Sequence, residues 1–410
     1  MAMALLAGSG SASAAPSCTA TYTTRNDWAT GFVVDVVLTN SGSTAVSGWK
    51  VSWTYGTPVA LTSAPWGANV GIAGNSVTST DNGSHPNIAP GASISFGMSL
   101  SYSGTRPAPG PITVSGTNCA ELPLNPALYV DPQSTAANWV RNNPGDGRAA
   151  DIGSHIANQP GARWFGGWSG DIGTAVGNHV AAATALNQTP TLVAYNIPGR
   201  DCGQYSAGGA GSLTAYQDWI RAFAAAIGNR QSVVILEPDA LPQLDCLDAA
   251  GQAGRLQLFQ YAVTQFNLLA PRTYLYLDIG NSAWLAPADA ATRLVNAGVA
   301  NARGFSLNVS NYRTDAESNA YGIAVANALN QQKGFTKPFV VDTSRNGAGP
   351  NGTLWCDPPG RKIGVTPHVY SPGSQPEMTL WIKSPGESDG CAAAAGTFSP
   401  ELAYKLIYGY

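Results

Sequence analysis

Between Cys18 and Cys119, apolar and polar residues alternate with a period of two. The run Gly31–Thr39 sets Phe32, Val34, Val36 and Leu38 against Val33, Asp35, Val37 and Thr39, and Gly48–Tyr55, Ser76–Thr80 and Ser93–Leu100 alternate likewise. Short alternating runs separated by Asn, Ser and Gly turns predict an antiparallel β-sandwich. From about Asn125 the pattern changes. Short apolar runs at Thr191–Asn196, Val233–Glu237, Thr273–Asp278, Gly304–Val309, Pro338–Asp342 and Leu380–Lys383 are interleaved with segments whose apolar residues recur every three or four positions: Tyr216–Ile227, Gln252–Leu269 and Ala288–Asn296. Strands alternating with helices predict an α/β domain built on a parallel sheet or barrel. The expected organisation is multidomain: a residual signal peptide or tail over 1–17, a β-sandwich over 18–119, a very short linker over 120–124 and a (β/α) barrel over 125–410.

Composition narrows the partner. Charged residues are 11% of the 410, the net charge is −3, and no basic run of five occurs. Nucleic acid, which is bound through a clustered basic face, is thereby disfavoured. No apolar stretch is long enough to span a membrane. Eleven Trp and sixteen Tyr on so weakly charged a chain point to neutral, polar, planar ligands such as sugars. The first sixteen residues carry a short apolar patch at Leu5 and Leu6 and an A-x-A-like site at Ala12–Ala14, the expected remnant of a secretory signal. An even set of six cysteines without C-x-x-C fits a secreted, extracellular protein. Six cysteines allow 15 connectivities. Cys18 and Cys119 bracket the first region and would tie its ends, which leaves Cys202 with Cys246 and Cys356 with Cys391 as local pairs.

The sandwich region carries seven charged side chains up to Glu121, too few for a catalytic domain, and reads as a binding module. In the second region nearly every strand has a carboxylate or amide at or just past its C-terminal end: Asp201, Glu237, Asp239, Asp278, Asn308, Asp342 and Asp389. In a barrel that end is the active face. Helix capping is the alternative role for any one of them, but Asp201, Asp239 and Asp389 sit in Gly-, Pro- and Cys-rich loops. Several carboxylates at one mouth are what glycoside hydrolysis requires: one held protonated to protonate the leaving oxygen, one ionised to act on water or on the anomeric carbon.

Five segments in order, Tyr195–Gly203, Val234–Ala240, Tyr276–Trp284, Asp342–Gly347 and Trp381–Gly390, resemble glycoside hydrolase family 6, cellulases that invert the anomeric centre of β-1,4-glucan. The resemblance implies a distorted barrel of fewer than eight strands with the glucan lying across the strand ends. It makes Asp239 the general acid, Asp201 the neighbour that raises its pKa, Asp389 the base, and Asp278 a stabiliser of positive charge at the sugar ring. The water is reached either by Asp389 or through a chain from Asp201 and a loop hydroxyl such as Ser206. Arg200 and Arg345 match positions that keep other carboxylates ionised. Lys383, Glu387 and Asn308 match sugar contacts, Trp164, Trp284 and Trp355 match stacking positions, and Tyr195 lies at the cleavage point. The family usually has His where Asn281 stands and a small residue where Ile279 stands, so altered affinity on the leaving side is expected. The cysteine pairs agree with the family.

Cys18–Cys119 resembles a family 2 carbohydrate-binding module, which implies cellulose binding through a strip of exposed Trp. Trp28 and Trp66 match two of its positions, and the third falls near Ser84–His85, which is not aromatic. Trp49 is expected in the core.

Other patterns carry less. Gly386–Gly390 fits the nucleophile elbow of esterases, but that mechanism needs a His after the Ser, and the last His is His368. Gly347–Gly352 fits a dinucleotide fingerprint without opening a helix. The four His show no metal-ligand spacing, so neither cofactor nor metal is expected. With 21 residues after Asp389 and a short Gly-rich loop from Gln204 to Ser212, an open cleft is inferred. The expected activity is endo-β-1,4-glucanase on cellulose and related β-1,4-glucans, by a monomer. The alternatives are an exo-acting cellobiohydrolase of the same family and a non-catalytic cellulose-binding protein.

Overall fold

The computed structural model describes residues 18–410 except 43, 44, 111, 118, 120–123, 204, 229, 271 and 372, so the expected signal remnant and nearly all of the expected linker lie outside the described residues. The chain divides into two compact units, the second beginning at Leu124.

The first unit has nine strands, four of which (β2, β3, β6 and β8) are the period-two runs: β1 (Cys18–Trp28), β2 (Gly31–Asn40), β3 (Val46–Thr54), β4 (Val59–Leu61), β5 (Asn69–Ala73), β6 (Ser76–Thr80), β7 (Asn87–Ile88), β8 (Ser93–Tyr102) and β9 (Thr113–Thr117). They form two antiparallel sheets, β1-β2-β8-β4 and β5-β6-β3-β7 with β9 also on β3. Because side chains alternate across each sheet, Phe32, Val34, Val36 and Leu38 meet Val51, Trp53 and Val77 in one core. Trp49 is buried there, stacked on Phe96 at 5.6 Å. Cys18 and Cys119 are bonded with Cα atoms 5.1 Å apart.

The second unit carries β10 (Arg163–Phe165), β11 (Thr191–Ala194), β12 (Ser232–Leu236), β13 (Thr273–Asp278), β14 (Gly304–Leu307), β15 (Phe339–Asp342), β16 (His368–Val369) and β17 (Met378–Leu380). Its helices are α1 (Thr135–Asn142), α2 (Ala149–Ile152), α3 (Ile172–Ala185), α4 (Leu213–Ile227), α5 (Ala249–Leu269), α6 (Pro287–Asn296), α7 (Asp315–Lys333) and α8 (Pro400–Tyr408). Strand order is β10-β11-β12-β13-β14-β15-β17-β16, every pair parallel except β16 with β17. The sheet curls until its ends meet without a full ladder: Ala162 N donates to Trp381 O at 2.9 Å, and the Trp164 indole N–H donates to Ile382 O at 2.7 Å. This is the distorted barrel that the resemblance implied, although not with fewer than eight strands: seven are parallel, and the two-residue β16 adds an eighth, antiparallel to β17.

Both faces of the strands are buried, which is why their sequences read as unbroken apolar runs. Val234 and Leu236 face the helical layer with Ile220, Phe223 and Phe259, whereas Val233 and Ile235 point inward with Tyr276, Val340 and Leu380. Helix starts are set by side-chain caps. Ser212 accepts from Ala215 N, Asp248 from Gly251 N, and Thr314 and Glu317 form a reciprocal capping box.

Asp342, fully buried at the end of β15, accepts four backbone N–H groups: Ser310 (3.0 Å), Ser344 (2.9 Å), Ile382 (3.2 Å) and Lys383 (2.9 Å). It ties the loop after β14 and the segment after β17 to β15. Asp342→Ala strands those donors and is expected to lower unfolding free energy by about 3 kcal/mol, measured by urea denaturation; a loss below about 1 kcal/mol would mean that water replaces the carboxylate.

Candidate active site

The strand ends of the barrel hold its strained backbone. Among the described residues, eight non-glycine positions have positive φ, and all but Asn187 lie in loops following barrel strands: Asp201, Cys202, Glu237, Asp239, Asn308, Ser310 and Asp357. Such conformations persist where surrounding contacts over-determine them. Glu237, fully buried, accepts Asn196 N and Ile197 N at 2.9–3.0 Å and so locks the chain leaving β11. Burial raises its pKa to about 7 against these hydrogen bonds.

Asp239 lies two residues further on, partly exposed at the mouth. Its backbone N–H donates to Asp278 Oδ2 at 2.9 Å, and Asp278 also accepts Gly280 N (3.2 Å) and Ser306 Oγ (3.1 Å). Burial, then the charges of Asp278, Asp201 and Asp389, push the Asp239 pKa well above the ordinary carboxylate value against Lys383. Asp239 is therefore built to keep its proton, and three other carboxylates converge on it. Asp201 accepts Ser206 N at 2.7 Å and Gln243 Nε2 at 3.3 Å. The Cys202–Cys246 disulfide follows directly.

Asp389 has the opposite environment. Burial works against its ionisation, but Arg345 (2.8 Å) and Lys383 (3.2 Å) hold its pKa below the usual carboxylate value. Tyr312 OH (3.3 Å) and Asp357 N (3.2 Å) also donate to Oδ2. Asp357 in turn accepts Asp389 N (2.8 Å), Ser388 Oγ (2.6 Å), Cys391 N (3.1 Å) and Ala392 N (2.9 Å), and the Cys356–Cys391 disulfide ties the same two loops. Sequence reasoning missed Asp357 and Tyr312; the one signal was the position of Asp357 beside Cys356.

Three expected roles are not where the structure places the side chains. Asp278 is fully buried under the Asp239 backbone and cannot face a sugar; it positions Asp239. Asn308 is also fully buried, its amide spent on Asp342 O, Arg313 O and Arg313 N. Arg200 donates to Tyr195 O (3.0 Å) and Ser206 O (2.8 Å), holding the Asp201 loop by carbonyls, and among the described residues it makes no carboxylate ion pair. Lys383 is committed to Asp389, and Glu387 accepts Thr135 Oγ1 at 2.8 Å. Arg345 pairs Asp389 at 2.8 Å.

Aromatic side chains line the mouth. Tyr195 meets Trp164 edge-on at 5.1 Å, and its hydroxyl pKa is raised by burial and by Asp239 and Asp201. Trp284 is 40% exposed and Trp355 44%, the latter beside Tyr205 at 5.7 Å. Trp164 is half-buried, held by its bond to Ile382 O. Asn281 is buried, its Oδ1 taken by Ala283 N at 3.0 Å.

In the first unit, Trp28 and Trp66 are exposed on the β1-β2-β8-β4 sheet, their rings lying where Gly31 and Gly97 have no Cβ; a methyl there would come within 2.7 Å and 2.2 Å of them. Arg25, clamped on Asp35 at 2.6 and 2.7 Å, lies 5.7 Å from the Trp66 ring centroid. The Ser84–His85 turn is pinned by His85 N to Asp81 (2.9 Å) and by the Trp49 indole to His85 O (3.0 Å).

The family model of Glycosyl hydrolases family 6 matches residues 124–404, and that of the Cellulose binding domain matches residues 18–119. The chain is 53% identical over 289 residues to Endoglucanase 1 of Streptomyces halstedii, covering 69% of this chain and 89% of that one. It is 36% identical over 433 residues to Endoglucanase A of Cellulomonas fimi, covering 96% and 92%. Among solved structures it resembles the endoglucanase Cel6 from Mycobacterium tuberculosis in complex with methyl-cellobiosyl-4-deoxy-4-thio-β-D-cellobioside, with TM-score 0.65, 38% identity, and 70% and 97% of the two chains covered.

Glu237 and Asp278, both raised to about 7, retain protons in the folded chain that the unfolded chain has already released. The folded state then binds more protons, so stability falls as pH rises from the ordinary carboxylate range towards 7. The urea midpoint is expected to drop between pH 5 and pH 7.5, and Asp278→Asn to flatten that slope; an equal slope in the variant would remove Asp278 as its source.

Proposed function

Because the chain belongs to glycosyl hydrolases family 6 and carries an N-terminal cellulose binding domain, we propose that it is a secreted endo-β-1,4-glucanase in which Asp239 is the general acid and Asp389 the general base. The single observation that carries the assignment is the opposed tuning of these two carboxylates: Asp239 is pushed up by burial and neighbouring carboxylates, and Asp389 is held down by Arg345 and Lys383. An acid and a base driven apart in pKa within one mouth are what inverting hydrolysis needs. Asp239 gives its proton to the glycosidic oxygen as the bond to the anomeric carbon breaks. Water attacks that carbon from the opposite face and loses a proton to Asp389, which leaves the anomer inverted. Asp389 then releases its proton to solvent, and solvent reprotonates Asp239. Asp201 keeps Asp239 protonated between turnovers, and Asp278 holds the backbone that aims it. A chain from Asp201 through the hydroxyl of Ser206, whose backbone N–H already lies on Asp201, is the second reading for water activation, and it predicts that Asp389→Asn retains near-normal rates on unactivated oligosaccharides.

The exposed indoles Trp284 and Trp355 offer flat faces to pyranose C–H surfaces, while Tyr195, buried at the cleavage point, and Lys383, Glu387 and Trp164 border the path. Three disulfides support an oxidising, extracellular setting, and among the described residues no helix is long and apolar enough to cross a membrane. The enzyme acts as a monomer.

Digestion of carboxymethyl-cellulose should drop viscosity steeply at few new reducing ends; release of sugar at nearly constant viscosity would mean end-on attack. Asp239→Asn should lower kcat by about 10³-fold or more, general acid catalysis being worth about 10²–10⁴, while KM stays close to wild type. Trp28→Ala and Trp66→Ala should each weaken retention on insoluble cellulose by about tenfold, the loss of one aromatic contact of about 1.4 kcal/mol, with hydrolysis of soluble glucan unchanged. Unaltered retention in both variants would place the binding face elsewhere.

A further inference from the structure

The most exposed tryptophan among the described residues is absent from every role above. Trp168 is 57% exposed, against 45% for Trp28 and 44% for Trp355. It sits immediately past the C-terminal end of β10, on the same end of the barrel as Tyr195 and Asp201. A ring so open to water ordinarily signals a mobile surface side chain, but this one is fixed from three sides. The turn that presents it is closed by Ser169 N to Gly166 O (3.0 Å) and by Gly166 N to Ser169 Oγ (3.1 Å). The six-membered part of the indole rests against Gly166, where a Cβ would come within 2.4 Å of it. The Arg200 guanidinium carbon lies 5.0 Å from its centroid, within cation–π range.

That guanidinium links the ring to the reacting centre. The same Arg200 carbon lies 4.8 Å from the Tyr195 centroid, so Arg200 is shared between the two aromatics, one exposed and one beside Asp239 and Asp201. Arg200 immediately precedes Asp201 and is itself held by Tyr195 O and Ser206 O. An indole that is held rigid, open to solvent and one cation away from the cleavage-point tyrosine loses little conformational freedom when a ligand covers it, which is the condition for a contact to appear in affinity.

We propose that Trp168 is an outer sugar-stacking platform, a substrate-binding residue that holds the glucan chain beyond the subsite at Tyr195. The ligand is a pyranose of the same β-1,4-glucan, its C–H face on the indole. The assignment rests on the glucanase reading above and extends it by defining how far substrate must reach to gain full affinity. A platform remote from the broken bond binds ground state and transition state alike, so its loss raises KM and leaves kcat in place.

The test uses the full chain with Trp168→Ala and Trp168→Tyr, assayed on carboxymethyl-cellulose and on a ladder of cello-oligosaccharides down to the shortest that the wild type cleaves. Trp168→Ala should raise KM about tenfold on the polymer and the longest oligosaccharides, with kcat within about twofold, and should leave the shortest substrate unaffected; Trp168→Tyr should recover most of the loss. Unchanged KM on the polymer overturns the proposal. A fall in kcat of the same size on long and short substrates also overturns it, because Trp168 would then act only through Arg200 on the Asp201 loop. A wild-type chain that leaves every β-1,4-glucan intact removes the glucanase reading itself, and this proposal with it.

Discussion

The barrel mouth depends on buried carboxylates that serve as acceptors for backbone N–H groups. A buried carboxylate is costly unless it is hydrogen-bonded, and a strained loop is costly unless something holds it. Here each offsets the other. Glu237 takes the amides of Asn196 and Ile197, Asp278 those of Asp239 and Gly280, and Asp342 four amides from three segments, while the half-buried Asp357 takes those of Asp389, Cys391 and Ala392. The left-handed residues of the mouth lie among these contacts. Most of the carboxylates at the strand ends are thus construction, and only those that remain partly exposed or are paired with cations are free for chemistry.

This distinction is what separated the legible from the illegible in the sequence. The period-two and period-three-to-four patterns located the principal strands and three helices, because burial on a repeating face leaves its mark in apolar spacing. Helix α7 left little mark: its buried stripe includes Ser318, Gly322, Ala326 and Ala328, small residues that let it approach β15 so closely that a Cβ on Gly322 would come within 2.5 Å of Phe339. In α3 the inward stripe Ile172, Val176, Val180 and Ala183 is interrupted by His179, itself buried. At the site, spacing identified carboxylates at strand ends but not which of them water reaches. Asp278 and Asn308 look like Asp239 and Asp389 in one dimension; partial exposure of Asp239 and the Arg345 and Lys383 partners of the buried Asp389 separate them. Asp357 acts through a loop brought to Asp389 from 32 residues away, and no local pattern encodes that contact.

The same difference between held and free explains the glycines. Trp28 lies on Gly31, Trp66 on Gly97, Trp168 on Gly166 and Trp284 on Gly280; an added Cβ would come within 2.7, 2.2, 2.4 and 3.0 Å of the respective rings. In both units an exposed indole is bedded where the backbone offers no side chain. Glycine there supplies closeness of approach, although Gly280 also has φ of +78°. A ring seated against backbone keeps its orientation without a ligand. For a neutral polymer with few charges to steer it, affinity must come from apolar area and preorganisation rather than from long-range attraction. A weakly charged chain rich in Gly and Trp is the composition that this solution requires, and the feature that first suggested sugars is the physical means by which they would be held.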